Sequence, residues 1–384
     1  MKNRLHLLAA LALALTPLAT LAQQTPAPQQ TPQQNQDDSA GPQTDSGPIV
    51  IPKKKDSDQP PPPPAPAEPK VKNPNGETFS LRVDVPLVNL DVSVILDKTH
   101  QFVPNLKPEN FLILEDGVEQ PVPTVRITQT PINAVMLLEF AANNYNFIYD
   151  MRNTAVGFFR SLKQDDYVAV VTYDLHTHIL TDFTNNQGVI AQAIQSLTLP
   201  MFSDTNLFDA LYETLDRVTR IDGRKYIILV GSGRDTFSKI NLDKILAKIK
   251  ATPNVTIFSI STGQLARELN DRSNSMSAGM ARMVYIQADN QMRTFASMTG
   301  GLSFAPLFAT ELPDDFAQIN QSIRNQYVLT YHPTNTANDG SYRKVRVLLI
   351  DKENKPLQMQ DEKGKSLKYS IITRDGYTAK RPVE

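Results

Sequence analysis

The chain has 384 residues, a formal net charge of −1 and no cysteine. This length predicts two or three domains. The balanced charge gives no support for nucleic-acid binding, which needs a basic surface to neutralise phosphates. The lack of cysteine excludes a disulfide framework, a zinc–thiolate site and a thiol nucleophile.

Residues 1–22 have the pattern of an export signal. Lys2 and Arg4 precede an apolar run from Leu7 to Leu15, and Thr20-Leu21-Ala22 offers small residues for cleavage. Because the run is shorter than the roughly 20 residues that span a bilayer, we expect cleavage near Ala22 rather than a retained anchor. The protein is therefore expected to be periplasmic, on the cell surface or secreted, with no membrane insertion after cleavage.

Residues 23–75 are rich in Gln, Pro, Ser and Asp, and they contain an unbroken proline run from Pro60 to Pro64. This composition cannot bury enough apolar surface to offset the entropy of ordering. We predict a disordered linker that is stiffened by polyproline II structure along the proline run.

The remaining chain has three patterns in succession. Residues 76–129 alternate apolar and polar side chains, as at Leu90–Val94, which predicts strands with one buried face. Residues 130–325 alternate strands with helices, which predicts an α/β domain with a mostly parallel central sheet and helices on both faces. Residues 326–384 are β-patterned again. We expect them to form one β-sandwich-like unit with 76–129, and two separate β units are the alternative.

Within the α/β region, the apolar spacing predicts individual elements. Helices are expected at 146–162, 189–197, 206–218, 242–251, 287–298 and 314–324, and strands at 135–138, 167–173, 178–183, 226–230, 255–260 and 302–305. The polar stretch 270–279 predicts a long loop. With Met276, Met280 and Met283 it is either disordered or an adaptable contact surface.

The strand at 135–138 leads directly into Glu139 and then a small polar loop. Open α/β sheets bind ligands at the carboxyl ends of their strands. The sequence therefore predicts a ligand position at Glu139.

Several further segments share one family pattern. They are L-K-P-E-N-F-L-I-L-E-D-G-V-E-Q at 106–120, D-D-Y-V-A-V-V-T-Y-D at 165–174, T-N-L-F-D-A-L at 205–211, I-I-L-V-G-S-G-R-D-T at 227–236 and R-N-Q-Y-V-L-T-Y at 324–331. Together they resemble the von Willebrand factor A (VWFA) family, and in particular the VWFA-related proteins of Acidobacteria. The resemblance extends over about 77–378, and it implies a Rossmann-like sheet and a binding role rather than catalysis.

The resemblance also implies where a metal-ion-dependent adhesion site would lie. In the family, the first strand ends in D-x-S-x-S, and a Thr and an Asp on two further loops complete the site. The corresponding residues here are Glu139, Ala141, Asn143, Thr205 and Ser232, with Asp235 three residues further along the third loop. Of these five family positions only Thr205 keeps the family residue, and Ala141 has no donor atom.

Magnesium needs near-octahedral oxygen ligands at short distances. We therefore predict a degenerate site without a metal or other cofactor, although Asp204 or Asp235 leaves weak Mg²⁺ or Ca²⁺ binding open. Because buried acids are normally paired, Glu139 is expected to hydrogen-bond to Thr205, Ser232 or loop amides. A metal-free contact surface is the second interpretation of Glu139.

Two other patterns carry little support for chemistry. His176 and His178 lie on one strand face but have no third zinc ligand at typical spacing, so solvated hairpin residues are expected. Gly231-Ser232-Gly233 lacks phosphate-loop spacing, and Val230 replaces the first glycine of a nucleophile elbow.

The sequence thus predicts an exported, non-enzymatic, VWFA-type protein-binding or adhesion module that is independent of metal. Its partner, expected to be a protein, would bind the loop face, defined as residues 139–146, 203–206 and 231–238. A Mg²⁺-, Mn²⁺- or Ca²⁺-dependent adhesion module is the first alternative, and a cell-envelope hydrolase is the second. The sequence specifies neither the partner nor an oligomeric state.

Overall fold

The computed structural model describes residues 70–72, 78–80, 86–121, 123–127, 131–142, 145–264 and 276–380. The predicted export signal lies outside these residues, as does the predicted linker up to position 69. Residues 70–72, at the end of that linker, form a strand that pairs antiparallel with 78–80. Strand pairing therefore begins earlier than composition indicates, because backbone hydrogen bonding does not require an apolar segment.

The flank before the α/β domain is built from short strands and one 3₁₀ turn at Pro108–Asn110. The strands are β1 (Lys70–Lys72), β2 (Thr78–Ser80), β3 (Val88–Leu96), β4 (Phe111–Glu115), β5 (Val118–Glu119) and β6 (Thr124–Ile127).

The α/β domain alternates strands and helices, as predicted from the spacing of apolar residues. Its elements are β7 (Asn133–Glu139), α1 (Tyr145–Arg160), β8 (Tyr167–Tyr173), β9 (Thr177–Thr184), α2 (Gln187–Gln195), α3 (Leu207–Thr219), β10 (Lys225–Gly231), α4 (Leu242–Ala251), β11 (Val255–Ser261), α5 (Met276–Thr299), β12 (Ser303–Phe304) and α6 (Leu312–Arg324), with a 3₁₀ turn at Ala309–Glu311.

The central sheet has the strand order β12-β11-β10-β7-β8-β9. All neighbouring strands are parallel except β9, which forms the predicted antiparallel hairpin with β8. Alternate residues of β7 enter opposite cores. Met136 and Leu138 pack with α1, α2 and α6 on one face, while Val135 and Leu137 pack with α3, α4 and α5 on the other. A sheet buried on both faces explains why its strands are continuously apolar.

The flank after the α/β domain supplies β13 (Tyr327–Tyr331), β14 (Tyr342–Leu349), β15 (Met359–Gln360), β16 (Ser366–Leu367), β17 (Tyr369–Thr373) and β18 (Gly376–Thr378). Two sheets combine strands from both flanks, with the orders β17-β3-β13-β6 and β18-β14-β4-β5. Their inner faces share one core that includes Leu90, Ile113, Leu329 and Val347. The fold class is therefore confirmed, including the sandwich formed by the two flanks.

The loop predicted at 270–283 needs correction. Residues 265–275 lie outside the described part, but α5 begins at Met276, well before the predicted start at 287. Met276, Met280 and Met283 have the i, i+4, i+7 spacing that is typical of a helix, and the polar composition of 270–279 obscured this pattern. None of the helices in the described residues is long and apolar enough to cross a membrane.

A buried ion pair joins three parts of the α/β domain. The Asp166 carboxylate, with a fully buried side chain, accepts hydrogen bonds from the amides of Ile132 (2.9 Å) and Lys163 (2.6 Å). It also pairs with Arg324 at the end of α6. Asp166 is thus a junction between the start of β7, the turn before β8 and the last turn of α6.

We expect Asp166→Ala to lower the free energy of unfolding by about 3–5 kcal/mol, because it leaves Arg324 and the amides of Ile132 and Lys163 without their partner. Urea denaturation measures the change. The control is Glu213→Ala, which removes an exposed acid from α3 and should change stability by less than about 0.5 kcal/mol. Equal effects of the two substitutions would contradict the assigned role of Asp166.

Candidate functional site

The side chain of Glu139, at the end of β7, points into the protein and is fully buried. Its Oε2 accepts hydrogen bonds from the Ser232 amide (2.6 Å) and the Ser232 hydroxyl (2.8 Å), and Tyr173 Oη lies 3.5 Å away. Both donors of Ser232 therefore serve one carboxylate. The sequence predicted Thr205, Ser232 or loop amides as hydrogen-bond partners of Glu139. The structure pairs Glu139 with the hydroxyl and the amide of Ser232, whereas the Thr205 hydroxyl donates to the Arg234 carbonyl.

The glycines on either side of Ser232 are explained by close packing. A Cβ on Gly231 would lie 2.5 Å from Tyr173 Oη and 2.6 Å from Glu139 Oε2. Gly233 has a φ of +73°, and a Cβ there would lie 2.8 Å from the Ala288 carbonyl oxygen of α5. The two glycines therefore allow the Glu139 side chain and helix α5 to approach the backbone closely. This packing explains the G-S-G sequence without a role in phosphate binding.

Burial changes the acidity of this site. It raises the pKa of Glu139 to about 6, although the Ser232 hydrogen bonds and the charge of Arg234 act in the opposite direction. Burial also raises the pKa of Tyr173, and the neighbouring carboxylate adds to this effect. Desolvation of a carboxylate disfavours its charged form, so Glu139 takes up a proton more readily than an exposed glutamate.

Thr205 is buried and connects the second loop to the third. Its hydroxyl donates to the Arg234 carbonyl at 2.7 Å, and its own carbonyl accepts from the amides of Thr236 and Phe237, both at 2.9 Å. The Thr205 amide donates to the Thr236 hydroxyl at 2.9 Å. Thr205, the one position that keeps the family residue, therefore hydrogen-bonds the second loop to the third.

Asp235 caps a helix. Its Oδ1 accepts from the Phe208 amide (3.0 Å) in the first turn of α3 and from the Ser238 hydroxyl (2.5 Å). The side chain of Asn206, the residue before the helix, makes no cap hydrogen bond, so Asp235 supplies that acceptor from another loop. Burial raises the pKa of Asp235, while both hydrogen bonds lower it.

The other candidate positions add no ligand. Ala141 is buried and carries only a methyl group, while Asn143 lies outside the described residues. In the described part of the chain, no three His, Asp or Glu side chains are grouped to hold a metal. Glu139 is bonded to Ser232 and Asp235 to α3, and the exposed Asp204 accepts a hydrogen bond from the Thr236 hydroxyl at 3.1 Å. These three carboxylates are therefore engaged separately and are not grouped around one position for a divalent cation.

The two histidines of the β8–β9 hairpin are separate from this cluster of loops. His178 Nε2 lies 3.5 Å from Asp174 Oδ1, and the His178 side chain is 54% exposed. The rings of His176 and His178 have centroids 6.3 Å apart. A pair of exposed imidazoles with one acid beside them lacks the further ligand that a zinc site needs.

Sequence reasoning missed a set of exposed apolar side chains beside the loop face. We call them the apolar rim: Leu199, Met201, Phe202 and Phe237, which are 67%, 84%, 40% and 57% exposed. The backbone places two of them at the site, because the Phe202 carbonyl accepts from the Ala142 amide (2.7 Å) and the Phe237 amide donates to the Thr205 carbonyl (2.9 Å), while Leu199 and Met201 precede Phe202 in the same loop. The signal was the run L-T-L-P-M-F at 197–202, which is apolar although it lies between two helices.

Comparison with known proteins identifies the α/β domain. Residues 141–297 match the family model of the von Willebrand factor type A domain. The α/β domain has the von Willebrand factor type A fold. No curated protein matches the chain.

Solved structures that resemble the chain include two pilus proteins. A mutant form of the PilB minor pilin from Streptococcus sanguinis is 12% identical with a TM-score of 0.39, and the match covers 51% of this chain and 62% of that one. The vWF domain of the type V pili tip protein Mfa5 from Porphyromonas gingivalis is 14% identical with a TM-score of 0.39, covering 51% of this chain and 96% of that one.

A von Willebrand factor type A protein from Catenulispora acidiphila is 10% identical with a TM-score of 0.38, and the match covers 77% of this chain and 75% of that one. At this level of similarity, the function of the A domain has to be argued from its own residues.

We expect Gly231→Ala to lower the free energy of unfolding by about 1–3 kcal/mol or more, because the added methyl overlaps Glu139 and Tyr173. Gly157→Ala is the matched control. No atom lies within 4 Å of the Cβ it would add on α1, so this change should stabilise the protein by up to about 1 kcal/mol. Thermal and urea denaturation distinguish the two, and a neutral Gly231→Ala would contradict the close packing.

The pKa of Glu139 gives a second prediction. Because its folded-state pKa of about 6 exceeds the ordinary value of 4.5, the folded state holds the proton more tightly than the unfolded state. The contribution of Glu139 to stability is fully present below pH 4.5 and is lost as the pH rises through 6. A shift of this size corresponds to about 2 kcal/mol.

Glu139→Gln removes this titration and keeps a side chain of the same length. The stability of the variant relative to wild type should therefore rise by about 2 kcal/mol between pH 4 and pH 7. Urea denaturation across that range measures the difference. Parallel pH profiles for the two proteins would show that Glu139 titrates normally.

Proposed function

We propose that this protein is an exported, non-enzymatic module whose A domain binds a protein partner at the loop face without a metal. The observation that carries the proposal is the apolar rim. Met201 and Phe237, at 84% and 57% exposure, are large apolar side chains beside the carboxyl-end loops of the sheet. Exposed apolar patches of this kind mark interaction surfaces, and aromatic and Met side chains are enriched in the cores of such interfaces.

Metal independence is supported by how the polar groups are used. Glu139 has no exposed surface, and its carboxylate already accepts the Ser232 amide and hydroxyl. A cation at this position would have to displace those hydrogen bonds and would find only a methyl group at Ala141. We interpret Glu139, Ala141, Thr205, Ser232 and Asp235 as a degenerate adhesion site that orders the loops.

A non-enzymatic role is supported by the surroundings of Ser232. Its hydroxyl is directed to the buried Glu139, and the residue is 3% exposed, so a substrate would not reach it. The hydrolase alternative requires an activity that is lost on Ser232→Ala. Export is proposed from the pattern of residues 1–22, and the relationship to acidobacterial VWFA-related proteins from the segments quoted above.

The test combines a metal titration with partner capture. In calorimetry, the full chain should give no binding of Mg²⁺ or Mn²⁺ in the micromolar range. Immobilised protein should then retain the same partner from extract of the producing cells with and without EDTA. Met201→Ser/Phe237→Ser should reduce capture at least tenfold, since each buried large apolar side chain contributes about 1.5–3 kcal/mol.

The matched control is Val118→Ser/Ile127→Ser, which removes two exposed apolar side chains from the sandwich and should leave capture unchanged. Micromolar metal binding, or capture that EDTA abolishes, would favour the metal-dependent alternative. Equal capture by both double variants would place the contact elsewhere, and no capture by wild type would favour a structural component whose loops bind nothing.

A further inference from the structure

A cavity of about 450 Å³ lies where the sandwich meets the A domain. Its lining comes from four separate segments: 86–89 at the start of β3, 250–254 at the end of α4 and just after it, 333–343 before and within β14, and 374–380 around β18. The A-domain part is at the amino end of β11, because Asn254 precedes that strand. The size is within the range of small-molecule sites.

This cavity is at the opposite edge of the central sheet from the loop face. Glu139 and Gly231 end parallel strands of seven residues, whereas Asn254 comes just before the start of the neighbouring strand β11. Seven residues of strand extend about 20 Å. A ligand in the cavity would therefore act independently of the proposed partner surface.

The charged groups of the lining are all cations. They are Lys250, Arg343, Arg374 and Lys380, and the lining residues among the described ones include no Asp or Glu. Four basic side chains around one space repel each other unless anions lie among them. The arrangement is therefore electrostatically suited to an anionic ligand.

Arg343 is the most buried of these cations, and Glu115 partly satisfies it. Glu115 Oε1 accepts from Arg343 Nη1 at 3.2 Å, and Oε2 accepts from the hydroxyls of Tyr331 (2.8 Å) and Tyr377 (2.9 Å). Arg343 also donates to the carbonyls of Asn335 and Ala337, but its buried Nε has no hydrogen-bond partner among the described atoms. A buried donor without a partner is uncommon in native proteins.

The other cations are poorly compensated. Burial lowers the pKa of Arg374, and Asp91, which opposes that effect, is already ion-paired with Arg224. Lys250 Nζ lies 5.3 Å from the centroid of the Tyr342 ring. Its nearby acid is Asp375, and burial raises the pKa of Asp375 although the charge of Lys250 lowers it. Lys380 is exposed at the cavity. Positive charge is thus in excess at this junction.

The rest of the lining combines four asparagines, Asn89, Asn254, Asn335 and Asn338, with a larger apolar set that includes Leu87, Ala251, Pro253, Pro333, Ala337 and Ala379. We propose that the cavity binds a small organic anion, with its carboxylate or phosphate group held by Lys250, Arg374 and Lys380 and its apolar body against these side chains. Such a ligand would contact both the sandwich and the A domain.

Calorimetric titration of the full chain at low salt tests the proposal with three probes of similar size: 2-naphthoate, 1-naphthyl phosphate and uncharged 2-naphthol. Either or both anions should bind at least tenfold more tightly than naphthol, and their affinity should fall at 0.5 M salt. Which anion binds better distinguishes a carboxylate ligand from a phosphate ester. Methyl resonances of Ala251, Ala337 and Ala379 should shift on saturation, which locates the probe.

Lys250→Gln/Lys380→Gln should weaken anion binding roughly tenfold. Both side chains are exposed, so the fold should persist, and thermal denaturation verifies this. The matched control, Lys352→Gln/Lys363→Gln, makes the same change in net charge at exposed positions outside the lining and should bind as wild type does.

The proposal is overturned if naphthol binds as tightly as the anions, if neither anion binds at millimolar concentration, or if both double variants behave alike. Met201→Ser/Phe237→Ser should bind the anions normally, so failure here is distinguishable from failure of the proposed partner surface.

Discussion

The loop face depends on one buried carboxylate. Glu139 ends β7 with its side chain inside the protein, and the amide and hydroxyl of Ser232 offset part of its loss of hydration. This contact constrains the residue before Ser232 to be glycine, because a side chain there would occupy the space of the carboxylate. The hydrogen bonds of Thr205 and Asp235 then extend the order to the second loop and the start of α3.

The same contact decides what this edge of the sheet offers to a partner. The Glu139 carboxylate and the hydroxyls of Thr205 and Ser232 are turned inward, where each is hydrogen-bonded to a residue of another loop. The exposed side chains at this edge include those of the apolar rim, together with Ser203, Asp204 and Thr236. A surface of this composition gains affinity by removing apolar area from water, whereas a metal site gains it from a partner's carboxylate completing the coordination of a cation. The apolar rim and the inward-facing polar groups are therefore both consistent with binding through apolar contacts.

Much of the fold could be predicted because it follows from local periodicity. The strands around Val135 and Ile228 are continuously apolar, as expected for strands of a parallel sheet that is buried on both faces. Their positions in the sequence also fix where the loops that follow them begin. The partner of Glu139 could only be narrowed to a few groups, since loop distances depend on how α5 packs against Gly233. The apolar rim was not predicted because its residues follow neither a helix nor a strand period. The start of α5 was predicted too late because Gly279 and the serines before it resemble a loop.

The cavity had no sequence signal at all, because its cations are separated by up to 130 positions, from Lys250 to Lys380. Only the return of the chain, which places β13 beside β3, brings these segments together. The junction collects Lys250, Arg343, Arg374 and Lys380, and among the described atoms the buried Arg343 Nε has no hydrogen-bond partner. Like charges around one space disfavour each other, and the proposed anion, held by Lys250, Arg374 and Lys380, would offset that repulsion without altering the loops about 20 Å away.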